Sequence, residues 1–181
     1  MQSKASDEKL LGGDAISGPF PDRAHDHEHC IEEAFSRAER LCADRGLRLT
    51  PLRRAVLKII WEGHHPAGAY DILDRLKEQG RSAAPMTVYR TLDFLMEHGL
   101  VHRLASRNAF VGCDHPGDRH RGQFLMCRSC GMVAEIADPR ITAAIRTAAA
   151  ATGFVVEAPV VEVTGLCGAC VTHAGLRYVD A

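Results

Sequence analysis

The sequence predicts an α+β protein: an N-terminal winged helix-turn-helix domain followed by a small α/β domain that carries four paired cysteines. Three observations carry this expectation. Residues 35–112 read as three or four short amphipathic helices and then a β-hairpin, the order a winged helix needs. After about residue 113 the pattern changes to strand, strand, helix, strand. Two Cys-x-x-Cys pairs, Cys127/Cys130 and Cys167/Cys170, lie 36 residues apart in that second part.

A chain of 181 residues permits one large domain or two small ones. No run approaches the roughly 18–20 apolar residues of a transmembrane helix, and the N-terminus lacks the apolar core of a secretory signal. The expectation is a cytoplasmic protein with no membrane partner. In that reducing compartment seven cysteines point to metal ligation or thiol chemistry rather than structural disulfides. The net charge of −1 hides an asymmetry. Residues 1–34 hold 3 Lys/Arg against 8 Asp/Glu, whereas residues 35–105 hold 12 against 8. The basic segment coincides with the helical one, a hint of interaction with a polyanion.

Residues 1–30 mix Gly, Pro, Ser and acids without periodicity and read as a disordered extension. Within it, "HDHEHC" groups His25, His27, His29 and Cys30, either a polar tail or a weak auxiliary metal site. From 31 to 46 Phe35, Ala38, Leu41 and Cys42 share a helical face that Gly46 can end. Cys42 reads as a small buried hydrophobe. In "LTPLRRAVLKIIWEG", Thr50 is an N-cap and Pro51 the first helical residue. "GHHPAG" breaks the chain before the short helix "AYDILDRLKEQG". "MTVYRTLDFLMEHG" then places Val88, Leu92, Leu95 and Met96 on one face, with Thr87, Arg90 and Asp93 on the other. Two β-like runs, 101–104 and 109–112, flank the turn-prone "SRN". Beyond them, "QFLMC" and "GMVAEIA" read as strands. "DPRITAAIRTAAAATG" is a helix with Asp138 as N-cap and Pro139 at its first position, and "FVVEAPVVEVTGLC" is a β-rich run.

Four thiolates in two Cys-x-x-Cys knuckles suit a closed tetrahedral Zn²⁺ site, and a strand–helix–strand excursion explains the long spacing. Such a site is structural, because binding free energy becomes folding free energy. The alternative, a thioredoxin-type dithiol, needs one pair at a helix N-terminus, and little helix signal follows either pair. His102, Cys113, His120 and Glu135 flank the junction of the two parts and would make a second tetrahedral set. Its thiolate favours borderline metals over Mg²⁺, Ca²⁺ or Mn²⁺. His115 competes with His120, since Pro116 and Gly117 can turn either inward. His64, His65 and His98 read as surface or capping residues, and His173 as a spare donor beside a filled site.

From Phe35 to Cys170 the chain resembles the ferric uptake regulator superfamily, most closely its zinc-sensing branch. The resemblance rests on "LRLTPLRRAVL", "AYDILDRL", "PMTVYRTLDFLMEHGLVHRL", "CRSCG" and "GLCGAC" in combination. It implies a homodimeric transcriptional repressor of zinc-uptake genes that binds palindromic operator DNA with Zn²⁺ as co-repressor and has no small-molecule substrate. It implies structural zinc on Cys127, Cys130, Cys167 and Cys170, and regulatory zinc on His102, Cys113, His120 and Glu135. The family's DNA contacts fall on Tyr70, Tyr89 and Arg90. Arg90 suits a bidentate guanine contact, with a phosphate contact or surface ion pair as alternatives. The tyrosines either touch DNA or pack in the helical core. Arg53, Arg54, Arg103 and Arg107 are candidate phosphate neutralisers or solvated surface. The expected division is an extension 1–30, a winged-helix DNA-binding domain 31–112, a hinge 113–122, an α+β dimerisation domain 123–173 and a tail 174–181. "HPGDRH" stands where the iron-sensing branch carries a histidine-rich stretch, which argues against iron. The competing readings are a same-fold sensor of iron, manganese or peroxide, a zinc-stabilised interaction module without sensing and, remotely, a zinc hydrolase with Glu135 as general base.

Overall fold

The computed structural model describes residues 20, 27–63, 65–117 and 122–173. Helix α1 runs His27–Asp44, so residues 27–30 are helical and do not belong to the extension expected over 1–30. Two side-chain pairs spaced one turn apart, His29–Glu33 at 3.4 Å and Glu33–Arg37 at 3.5 Å, support this early start. Gly46 adopts φ +62° and ends the helix, with the Leu47 N–H donating back to the Cys42 carbonyl.

Helix α2 (Pro51–Trp61) begins as its sequence dictates: Thr50 accepts the Arg53 N–H and Pro51 opens the first turn. Helices α3 (Ala69–Glu78) and α4 (Pro85–Glu97) follow. Val56, Leu57, Ile59 and Ile60 of α2 meet Ile72 and Leu76 of α3 and Val88, Leu92 and Leu95 of α4 in one core. Ala34, Ala38 and Cys42 of α1 close it from outside.

Strands β2 (Val101–Leu104) and β3 (Ala109–Gly112) form the hairpin at the expected positions. A single 3-10 turn, Ala105–Arg107, joins them, and Asn108 takes the left-handed conformation that its short polar side chain tolerates. The two-residue strand β1 (Ala67–Gly68) adds to β3, giving the order β1-β3-β2. It lies in the segment read as a mere break, because two residues cannot display a strand period.

The second sheet has the order β5-β4-β6. Strand β4 (Gln123–Cys127) pairs antiparallel with β5 (Val133–Ile136) and parallel with β6 (Val161–Gly165), and helix α5 (Pro139–Ala150) makes the crossover. Asp138 caps α5 by accepting the Arg140 N–H at 2.8 Å. The buried Gln123 amide donates to the Asp138 carbonyl at 2.9 Å and the Thr142 hydroxyl at 3.1 Å, tying α5 to the sheet. Only the end of the β-rich run 154–167 is strand. Residues 161–165 already use the whole length of β4, and Pro159 offers no N–H. A short helix α6, Gly168–His173, starts directly after Cys167 and contains Cys170, against the expectation of little helix at the second cysteine pair.

Leu104 of the wing packs with Phe124 and Met126 of β4, and with Val111 and Val133, in a small second core. The helical half and the second sheet are thus joined through the wing.

Candidate metal centres and nucleic-acid interface

The first donor set is built at the ends of two parallel neighbours. Cys127 closes β4, Cys130 follows in the turn, and Cys167 comes two residues after β6 with Cys170 in α6. The four sulfurs lie within 4.8 Å of one another. All four cysteines are unbridged, and Cys130 and Cys167 bring their sulfurs to 3.7 Å. A Zn–S bond of about 2.3 Å puts the sulfurs of a tetrahedron about 3.8 Å apart, so the cluster fits zinc. Burial disfavours a thiolate at Cys127, but the N–H groups of Cys130, Cys167 and Ser129 outweigh it and bring the thiol down to about 6. Burial pushes Cys167 up to about 11, with the neighbouring thiols adding to the rise and the Cys170 N–H opposing it. Phe20 and Leu166 pack over these sulfurs.

The second set gathers three of the four expected residues: His102 from the wing strand β2, Cys113 just after β3, and Glu135 from β5. His102 Nε2 and Glu135 Oε1 are 2.9 Å apart. The other oxygen of Glu135 accepts the Asp114 N–H at 3.2 Å. The His102 ring leans on Phe124 at 5.3 Å between centroids, which fixes its direction. Burial is the main force holding the Cys113 thiol protonated, and the Glu135 charge adds to it. Burial and Glu135 likewise raise the Asp114 carboxyl. Imidazole, thiolate and carboxylate converging in a largely buried spot is the chemistry of a borderline divalent metal. His120 lies outside the described residues. His115 is not one of the clustered donors: its backbone N–H serves the Cys113 sulfur, and its ring is at the surface. Asp114 and Phe124 were missed from the sequence, because neither belongs to a spaced ligand pattern.

The remaining histidines and arginines divide clearly. His25 and His64 lie outside the described residues, and His29 faces Glu33 on α1. His65 comes against Gly131, in the knuckle after Cys130. His98 stacks edge-on to Phe94, with centroids 4.4 Å apart. Arg53 donates to the Arg48 carbonyl at 2.6 Å and lies 3.3 Å over the Phe94 ring. Arg54 pairs with Glu39, and Arg103 donates to Asn108 at 2.8 Å. All three have partners within the fold. Tyr70 is 72% exposed and stands clear of the helical core, whereas Tyr89, 37% exposed, is partly buried. Arg90, Met86 and Thr87 stand exposed beside Tyr89 on the first turns of α4. The result is an aromatic and cationic surface on the second helix of a helix-turn-helix.

Residues 44–164 match the ferric uptake regulator family. The zinc uptake regulation protein of Escherichia coli (strain K12) is 40% identical over 152 residues, covering 82% of this chain and 88% of that protein. The zinc uptake regulation protein of Mycobacterium tuberculosis (strain ATCC 25618 / H37Rv) is 29% identical over 128 residues, covering 69% and 95%. A solved structure of a zinc uptake regulator complexed with zinc and DNA superposes with TM-score 0.74 at 39% identity, covering 80% of this chain and 97% of that one. Holo XcZur superposes with TM-score 0.70 at 43% identity, covering 78% and 99%. The match takes in the helix-turn-helix, the wing and both strands that lead into the cysteine knuckles, and on that ground the chain belongs to the ferric uptake regulator family.

Proposed function

We propose that this protein is a zinc-responsive, homodimeric, cytoplasmic repressor that binds palindromic operator DNA and controls zinc-uptake genes. The family is one of regulators, and the hydrolase reading is set aside with it. The observation that carries the proposal is the convergence of His102, Cys113 and Glu135 from the wing and the second sheet. His102, Cys113, Glu135 and, as fourth donor, His120 would hold the regulatory Zn²⁺, while Cys127, Cys130, Cys167 and Cys170 would hold the structural one. Zinc, when bound, supplies the positive charge that lets Cys113 surrender its proton. His102 and Glu135 then hold the wing against β5 in one orientation.

Tyr70, Tyr89 and Arg90 are the proposed operator contacts. Arg53 and Arg54 are further candidates for phosphate contacts, since the Arg48 carbonyl and the Glu39 carboxylate engage one guanidinium nitrogen each. The surface for a second copy is the edge around β6, where Phe154, Val155, Val160 and Val163 are exposed and α5 buries no side chain. No helix among the described residues is long and apolar enough to cross a membrane. Coupling of about 1–3 kcal/mol would tighten operator binding roughly 5–150-fold, and operator DNA would tighten zinc binding by the same factor. Measuring DNA binding against buffered free zinc, with preferred sequences selected from a random pool, tests the proposal. Operator affinity independent of zinc overturns it, and a response to Fe²⁺ or Mn²⁺ but not Zn²⁺ favours the sibling reading that Cys113 argues against.

A further inference from the structure

The wing is held at a second place, away from the donor cluster. Glu162 is the second residue of β6, opposite Phe124 of β4. One carboxylate oxygen accepts the Ala105 N–H at 2.7 Å and the other the Ser106 N–H at 3.1 Å. These N–H groups open the 3-10 turn at the wing tip. Groups in that position have no partner within their own turn. Leu104, which precedes them, has no side chain that can cap. A carboxylate 56 and 57 residues away therefore does what a local Ser or Asp does elsewhere. Both hydrogen bonds are solvent-exposed, and the residue before them, Leu104, is anchored in the core with Phe124 and Met126. The hydrogen bonds from Ser106 and Ala105 lower the Glu162 carboxyl below its ordinary value although burial opposes them.

The donor cluster and the Leu104–Phe124–Met126 core hold the strands of the wing. The attachment at residues 105 and 106, beyond the end of β2, holds its tip as well. We propose that Glu162 is a positioning residue: a metal-independent pin that caps the wing tip, sets the angle of the DNA-reading half on the second sheet, and makes closure at the donor cluster productive. The wing is thereby tied to the strand bordered by the proposed dimer surface. This inference rests on the proposed function, since the angle matters only if two copies must match two half-sites.

The test uses the full-length, zinc-loaded protein and the variants Glu162→Gln and Glu162→Ala. Zinc content per chain, operator affinity at saturating zinc, and amide hydrogen exchange over residues 101–112 and 56–60 are measured. The pin predicts unchanged zinc content, faster exchange at the wing with the 56–60 core still protected, and operator affinity reduced about fivefold or more. Glu162→Gln, which keeps one accepting oxygen, should show the same changes to a smaller extent. Unchanged exchange at 101–112 overturns the pin, and faster exchange with unchanged operator affinity overturns its positioning role. A parent protein that ignores zinc in DNA binding overturns the proposed function instead, while wing exchange in the variants still judges the pin.

Discussion

His102 Nε2 and Glu135 Oε1 stand 2.9 Å apart, joining the first wing strand to the antiparallel edge of the second sheet. The pair belongs to two different halves of the molecule and is backed by Phe124 on one side and the Asp114 N–H on the other. Replacing Glu135 with Gln keeps the shape but removes the charge. Affinity for the second zinc should fall on the order of tenfold or more, since even outer partners of a metal ligand are worth 10–100-fold. Equilibrium competition with a chelator of known affinity measures it, and Cys113→Ser should behave alike while both variants keep their fold.

Cys167→Ser should fail differently. It removes one of four sulfurs whose assembly closes the second sheet, so zinc content should drop by one per chain and thermal unfolding should begin in residues 123–173. Zinc quantification alongside calorimetry distinguishes this from the Cys113 variant. Retention of the parent melting temperature would mean that the cysteine cluster carries no structural metal.

Arg90→Ala should weaken operator binding by about 1–3 kcal/mol and relax preference at one position of each half-site. Loss shared equally by all sequences, with a shallower salt dependence, would mark Arg90 as a phosphate contact. Competition assays on single-base operator variants at two salt concentrations decide between them.

Gly112 ends β3 where the backbone passes over Trp61, and a Cβ there would run into the indole. Gly112→Ala should destabilise the protein by about 1–3 kcal/mol through overpacking, without changing zinc stoichiometry. Denaturant titration of both proteins in the zinc-loaded state measures the difference.

Asp138 has its carboxyl lowered by the Arg140 side chain and the Arg140 N–H. A group with a lowered folded value stabilises fully above its unfolded value, about 3.9, and loses that contribution as pH falls through the folded value. Asp138→Asn still caps the helix but cannot ionise. The parent should melt higher than the variant at pH 5, and the gap should close as the pH is lowered below about 4. A gap that stays constant with pH would refute this role for the charge.

Much of the molecule was written locally. Thr50 with Pro51, Asp138 with Pro139, Gly46, and the stripe through Val88, Leu92 and Leu95 each act within a turn or two of chain, so their outcome follows from composition and spacing. The two cysteine knuckles are legible for the same reason, since two intervening residues suffice to aim both sulfurs at one point. The tertiary structure alone decided what meets across the fold. Burial of Phe124 against the wing sets the His102 ring, the parallel register of β4 and β6 brings Glu162 under the wing tip, and the folded chain brings Arg54 to Glu39 and Arg53 over the Phe94 ring. Those contacts depend on how far a strand slides along its neighbour and on which face a helix buries. No spacing within a single segment contains that information.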